Sequence, residues 1–376
     1  MENNKIIAIS GQPVTGKGTN VKQIIEILKQ QGYSDDRIHV ISTGHEFRKY
    51  FNAIFEFIKN YQNEEAVEKL SQDSYLRVFS EKREYRDVLM ATIIELKKSH
   101  ADINNLSIEQ ANNLKEFSAL RKIVDTIIDT GIKEQGEKIN SELRPEEIWI
   151  IDSRLAFYNI PSSFSVRLIA TPQVAAERLF YDKSRGKEDS KYESIEDALQ
   201  AREKRRIGEQ ARYLRRYGVD LEDENNYDLI IDTSYSTIQD ISSTILKCLN
   251  NYVQGKPFSK KWTSPKTLLP LQSEGLIGGQ GDAEENDKPI KVTEVDGCRY
   301  IIEGADKNFE LVQKGITLVP YENIDIVSGE TPGGRLKEPT EEFLRQHEAL
   351  FGNGFSYSEI YPEIYEELSK REEEIR

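Results

Sequence analysis

The chain reads as an α/β protein: a three-layer α/β/α sandwich on a parallel sheet, interrupted by a large helical insertion and followed by a small α+β module. Three observations predict this. Short β-branched apolar runs recur at 5–10, 39–42, 148–152, 166–170 and 229–233. Runs that are apolar on both faces suit a parallel sheet covered by helices. Helical patterns alternate with them, and such alternation folds through right-handed crossovers into a sandwich. Finally, 376 residues exceed what one core usually holds, so two domains are expected.

Composition narrows the functions open to the chain. No apolar run approaches the roughly 18 residues needed to cross a bilayer, and "MENNKIIAIS" is a poor secretory signal. Cys248 and Cys298 lie far apart, which fits a reducing cytoplasm and excludes a disulfide framework or a cysteine-based zinc site. The four histidines are scattered. A net charge of −14 argues against a general nucleic-acid binder. Even so, residues 202–216 hold seven Arg/Lys against two Glu, whereas 337–376 hold five against eleven. The basic stretch is either a site for a local anion or a solvated helical face.

The first strand, at 5–10, runs into "GQPVTGKGTN". Gly11 to Lys17 fit G-x-x-x-x-G-K between a strand and a helix. Glycines let backbone N–H groups converge on an anion, the helix N-terminus adds partial positive charge, and the lysine reaches the terminal phosphates. Val21, Ile24, Ile25 and Leu28 share one face of the helix that follows, which ends near Gly32. After the second strand, 49–147 shows helical patterns and no convincing strand, as expected of a subdomain over the sheet edge. Three further strands complete the alternation.

At about residue 254 the composition turns to Gly, Pro, Ser and charge, which predicts a linker with one anchored segment around Trp262 and Leu268–Leu269. "IKVTEVDGCRYIIEG" predicts a hairpin on an Asp-Gly turn, followed by a short helix and a strand. The acidic remainder is helix-compatible, and a solvated helix is its default reading.

The residues after Lys17 narrow the class. "GKGT" resembles the loop of the nucleoside monophosphate kinases, the adenylate and cytidylate kinases, in which glycine follows the lysine. That resemblance implies a P-loop kinase fold with ATP as donor, contacted by Gly11, Thr15, Gly16, Lys17, Gly18 and Thr19. "ISTGHEFRKY" is similar to a segment of the same kinases whose arginine holds the acceptor's phosphate. Arg48 takes that place, with Thr43–Gly44 as the turn, while His45 replaces the family's usual acid. "WIIDSRLAFY" is similar to the "DGR" or "EGRLAG" of cytidylate kinases, which puts Arg154 beside Arg48 at the acceptor phosphate. A carboxylate at a strand's end beside such a loop suits water-coordinated Mg²⁺, so Asp152, with Thr19, is the metal candidate; turn capping is the alternative for Asp152.

"REKRRIGEQARYLRRYGVDLEDENNYDLIIDTS" closely resembles the end of archaeal cytidylate kinases, where an arginine-rich lid helix closes over the transferring phosphoryl group. The resemblance places Arg205 and Arg212 among the catalytic lid arginines, with Arg202 nearby. "SVRLIATPQVAAERL" looks like the fourth strand and following helix of the same kinases, and there Arg178 matches an arginine placed toward the donor nucleotide. Arg206, Arg215 and Arg216 keep the solvated reading. Asp228, Asp232 and Thr233 read as strand-end and turn residues. Asp125 and Asp129 match a paired-Asp helix of these kinases weakly, and an exposed amphipathic helix explains them as well.

Around 262–330 the chain resembles the small fold shared by ParB-type partition proteins and sulfiredoxin. Glu303 and Gly304 persist there, but Asp306-Lys307 stands where that family has the His-Arg pair of its phosphate corner. The expected organisation is a cytidylate kinase-like domain at 1–253, with an acceptor-binding insertion at 49–147 and a lid region at 178–217. A linker at 254–288, a ParB-like regulatory or interaction domain at 289–330 and an acidic helical tail at 331–376 complete it. The resemblance implies Mg²⁺–ATP-dependent phosphoryl transfer to a nucleoside monophosphate, CMP or dCMP first. A small non-nucleotide anionic acceptor and a nucleotide-sensing regulator are the alternatives. A protein partner would use the ParB-like domain or the tail; no membrane is involved.

Overall fold

The computed structural model describes residues 5–61, 64–99, 103–106, 108–142, 146–181, 192–270, 288–295 and 297–324, with short pieces between 330 and 361. β1 (Ile6–Gly11) lies at the centre: Ile6, Ile7, Ala8 and Ile9 are all fully buried. Successive side chains of a strand point to opposite faces. Ile6 and Ala8 therefore join one core, and Ile7 and Ile9 the other.

Five parallel strands form this half of the sheet, in the order β2 (Ile38–Ser42), β3 (Ile148–Asp152), β1, β4 (Phe164–Ile169), β5 (Leu229–Asp232). One face is covered by α1 (Lys17–Gln30), through Val21, Ile24 and Leu28. The opposite face carries the insertion. It comprises α2 (Thr43–Asn60), α3 (Arg77–Glu81), α4 (Arg83–Lys98), α5 (Ile108–Asn113) and α6 (Ser118–Glu142), with turns and 3-10 segments between them and no strand among the described residues. Phe51, Ile54 and Phe55 of α2 meet Leu89 and Ile93 of α4 and Leu120 and Val124 of α6 in its core. Truncating a buried phenylalanine such as Phe51 to alanine costs about 3–5 kcal/mol.

Three helices follow the later strands: α7 (Ala156–Asn159), α8 (Pro172–Tyr181) and the long α9 (Ile195–Tyr217). α9 is capped by Ser194 Oγ, which accepts from Asp197 N at 3.1 Å, and stops at Gly218, whose φ of +67° is the left-handed turn glycine tolerates. α10 (Ile238–Val253) packs beside α1 through Ile241, Ile245 and Leu249. None of the described helices is long and apolar enough to cross a membrane.

Two local expectations change. Thr43–Gly44 is not a turn, because β2 runs straight into α2 and these are its first two residues. The segment expected as a linker contains β6 (Lys261–Thr263), a 3-10 turn at Pro265–Thr267 and β7 (Leu268–Pro270); residues 271–287 lie outside the described residues. Trp262 explains the first of these strands. Its indole is buried in the α1/α10 core, and its N–H donates to Ser259 O at 2.8 Å, so β6 aligns parallel to β5.

The C-terminal module continues the same sheet. β8 (Ile290–Val295) and β9 (Cys298–Glu303) form the expected hairpin, turning at Gly297 with φ +79°; Asp296 is not among the described residues. α11 (Ala305–Gln313) and β10 (Val319–Asn323) follow. The strand order from β5 onward is β6-β10-β8-β9-β7, giving ten strands in one sheet. Leu268, Ile290, Val292, Ile301, Leu311 and Val319 form the module's own core. Most of 331–376 lies outside the described residues.

Candidate active site

The candidate residues gather at the C-terminal edge of the parallel strands, where ligands of open α/β sheets bind. β1 ends at Gly11, where an added Cβ would meet Leu168 O at 2.4 Å; β4 passes too close for any side chain. The loop then turns through Val14 at φ +60°, a conformation a β-branched residue holds only when its surroundings impose it. Gly16, at φ +83°, caps the N-terminus of α1. Thr15 is buried and donates to Gln12 O at 2.9 Å. Gly18 and Thr19 are exposed on the first turn of the helix.

Lys17 Nζ folds back over this loop, donating to Gly11 O at 2.8 Å and Gln12 O at 3.0 Å. Burial, opposed by Asp152 and aided by Arg154, pushes its ammonium down to about 8. Asp152 is placed by register, since it pairs with Ile9 across β3 and β1. Its carboxylate accepts from Ser42 Oγ at 3.2 Å, and its carbonyl from Thr43 Oγ1 at 3.2 Å. Buried Ser10 fixes the next residues by donating to Ser153 O at 3.0 Å. Arg48 projects from the first turns of α2, exposed and without an ion pair to any described residue.

α9 lies across this edge. Glu209 accepts from two arginines at once, Arg154 Nη1 at 2.5 Å and Arg205 Nε at 2.9 Å. Burial alone would raise the Glu209 carboxyl, but the two guanidinium groups outweigh it and hold the group below the usual glutamate range. Arg202, nearly buried, donates from Nη2 to Gln12 Oε1 of the phosphate loop at 2.9 Å. Further along, Arg212 and Arg216 reach Asp125 at 3.4 and 3.7 Å, and Tyr217 donates to Asp129. Burial raises both α6 carboxyls, with the arginines opposing at Asp125 and Tyr217 opposing at Asp129.

A small cavity of about 30 Å³ lies beside α9 at the start of the phosphate loop, lined by Gly11, Gln12, Arg154, Arg206, Glu209 and Tyr227 among others. That is room for about one water, whereas a small-molecule site takes roughly 300–1,000 Å³. α9 rests against the phosphate loop and the segment after β3 through Arg202 on Gln12 and Glu209 on Arg154. A larger cavity of about 360 Å³ lies between α1 and α10, lined by Lys5, Tyr33 and Ile148, at the other end of the strands and away from these groups.

Set against known proteins, the chain is 27% identical to a cytidylate kinase of Methanosphaera stadtmanae over 146 residues, 39% of this chain and 78% of that one. It is 30% identical to a cytidylate kinase of Methanocella arvoryzae over 145 residues, 39% of this chain and 76% of that one. The chain belongs to the cytidylate kinase family. An S-adenosylmethionine-dependent nucleotide dehydratase of Lacinutrix mariniflava is 32% identical over 111 residues, 30% of this chain and 22% of that one. No protein-family model matches the chain.

For a cytidylate kinase relative, the arrangement concentrates Lys17, Arg154, Arg202 and Arg205 beside the N-terminus of α1, a setting suited to a polyphosphate. The structure brings Lys17, Asp152, Arg154 and Arg205 together. It sets Arg212 farther along α9, against α6. Arg178 is spent on the Thr233–Ser234 turn and the loop: it donates to Thr233 O at 2.6 Å, Thr233 Oγ1 at 3.0 Å, Ser234 O at 3.3 Å and Val14 O at 3.4 Å. Arg206, expected to be solvated, pairs with Glu203 and Glu222 at 2.7 and 2.6 Å. Asp125 and Asp129 are half-buried against α9 rather than on a free face. Two members went unrecognised in sequence, Gln12 and Glu209. Glu209 left one usable signal, a carboxylate four residues after Arg205 inside an otherwise basic run.

The donor set around Asp152 is all oxygen, with the hydroxyls of Ser42 and Thr43 close by, which is the chemistry Mg²⁺ prefers. Among the described residues no group of three or more His, Cys, Asp or Glu could hold a metal. A single carboxylate fits Mg²⁺ shared with substrate phosphates, not a metal held by the protein alone.

Proposed function

We propose that the chain is an ATP-dependent kinase that phosphorylates a nucleoside monophosphate, with CMP or dCMP as the preferred acceptor. The observation that carries this reading is the gathering of Lys17, Asp152, Arg154 and Arg205 beside the strained loop, with Arg154 and Arg205 sharing Glu209. The cytidylate kinase kinship supports it independently.

In this reading the amides of residues 11–17 and the α1 N-terminus cradle the donor phosphates, with Gly11, Thr15, Gly16, Gly18 and Thr19 forming the wall. Arg178 braces that wall from behind. Lys17 exchanges its loop carbonyls for the β- and γ-phosphates. Arg48 and Arg154 hold the acceptor phosphate, and Thr43 and Gly44 open the helix that carries Arg48. An oxygen of the acceptor phosphate attacks the γ-phosphorus; that O–P bond forms as the bond to the β–γ bridging oxygen breaks, and ADP leaves. No protein base is needed, because the attacking oxygen is already anionic. Arg205 and Arg212 close over the charge that spreads on the moving group while α9 excludes water. Asp152, with Thr19, would hold Mg²⁺, which neutralises phosphate charge when bound.

Replacing Lys17 by alanine tests the assignment. The variant is expected to keep its fold by circular dichroism and to lose ATP-dependent transfer; undiminished turnover would remove Lys17 and its loop from the mechanism.

A further inference from the structure

Asp232, at the end of β5, is 3% exposed, and a carboxylate this deep needs a partner. The partner comes from the C-terminal module. Arg299 of β9 donates from Nη1 to Asp232 Oδ2 at 3.2 Å and to Thr263 Oγ1 at 3.2 Å, with its guanidinium 5.0 Å from the Tyr321 ring. The other oxygen of Asp232 shapes the turn that follows, accepting from Ser234 N at 3.0 Å and Ser234 Oγ at 2.6 Å.

That turn is the support of the phosphate loop. Thr233 Oγ1 donates to Thr15 O at 3.2 Å, and Arg178 joins Thr233 O and Ser234 O to Val14 O. Val14 is the residue held at φ +60°, and such strain persists only where neighbours fix the backbone. The module also grips the next residues: Ser236 Oγ donates to Thr317 O at 2.6 Å, and Thr237 N to Thr317 Oγ1 at 3.0 Å.

We propose that Arg299 is a positioning residue for the phosphate loop, acting through Asp232 and the Thr233–Ser234 turn, so that the C-terminal module sets how firmly the loop binds its nucleotide. The nucleotide part rests on the donor-site reading above; the loop part does not. The module then has a task in the kinase reaction without touching substrate, through a buried ion pair between β5 and β9.

The test uses the full chain as wild type, Arg299→Met, Arg299→Lys and Asp232→Asn. Hydrogen exchange is followed without ligand, and ATP binding with Mg²⁺ is measured by calorimetry. Arg299→Met and Asp232→Asn should speed exchange across 11–18 and 232–236 by about five-fold and weaken ATP by a similar factor, leaving 241–249 unchanged. Arg299→Lys, which keeps the charge, should restore most of both. Should Arg299→Met fail to fold, Asp232→Asn decides, since it retains the acceptor for Ser234. Unchanged exchange at 11–18, or a uniform rise across the molecule, would overturn the proposal. A wild type that binds no ATP would instead remove the donor-site reading, and the exchange pattern would still decide the role of Arg299.

Discussion

Arg154 Nη1 stands 2.5 Å from Glu209 Oε1, and Arg205 of the same helix shares that carboxylate. Glu209 thus ties α9 to the segment after β3, beside the contact of Arg202 with Gln12 of the loop. In the proposed mechanism Arg154 cannot serve Glu209 and an acceptor phosphate fully at once, so the acceptor anion must compete with Glu209 for it.

Glu209→Gln should therefore bind CMP several-fold more tightly, because the competing charge is gone. The same change leaves two guanidinium groups without their anion and should cost about 1–3 kcal/mol of stability. Calorimetry with CMP and a thermal melt check the two halves; weaker CMP binding would show that Glu209 assists the acceptor rather than competing with it.

In the proposed mechanism, Lys17 should make ATP binding pH-dependent. Its ammonium sits at about 8 in the folded chain, against 10.5 as its ordinary value. Phosphates favour the charged form, so at pH 8 binding should take up about half a proton, and affinity should fall as pH rises further. The depressed value means that the folded chain binds fewer protons than the unfolded one between about pH 8 and 10.5, so Lys17 adds stability as pH rises through that window. Below that window the stability carried by this shift is constant. Calorimetry at pH 8 in buffers of different ionisation enthalpy measures the uptake, which Lys17→Arg should abolish.

Arg48 separates binding from folding. It is exposed and makes no ion pair among the described residues, so Arg48→Ala should change stability by less than about 0.5 kcal/mol. Loss of a charged hydrogen bond to the acceptor phosphate should lower kcat/KM for that acceptor by about 10–100-fold. The KM for ATP should stay within about two-fold, as the donor contacts are untouched. Steady-state kinetics with each substrate varied in turn distinguishes these effects.

The sheet was legible because its strands are apolar on both faces, a pattern that leaves few alternatives for Ile6–Ile9 or Ile148–Ile151. The phosphate loop was legible because its glycines answer to geometry: Leu168 O leaves no space at Gly11. β6 was harder, being three residues long among Ser, Pro and Lys, with Trp262 as its one anchor. Glu209 looked like ordinary charge balance on a basic helix, and only the closeness of Arg154, 55 residues earlier, gives it a different meaning. Asp232 read as a turn residue for the same reason. Its partner Arg299 lies on a strand 67 positions later, and no local pattern announces a pair at that separation.

The most direct test is an ATP-consumption screen with CMP, dCMP, UMP, AMP and GMP, each product identified and free serine included for the C-terminal module. The proposed kinase activity predicts ADP together with a pyrimidine diphosphate, formed saturably from CMP or dCMP and absent with Lys17→Ala. ATP binding with no product from any nucleoside monophosphate, or turnover on serine alone, would contradict it.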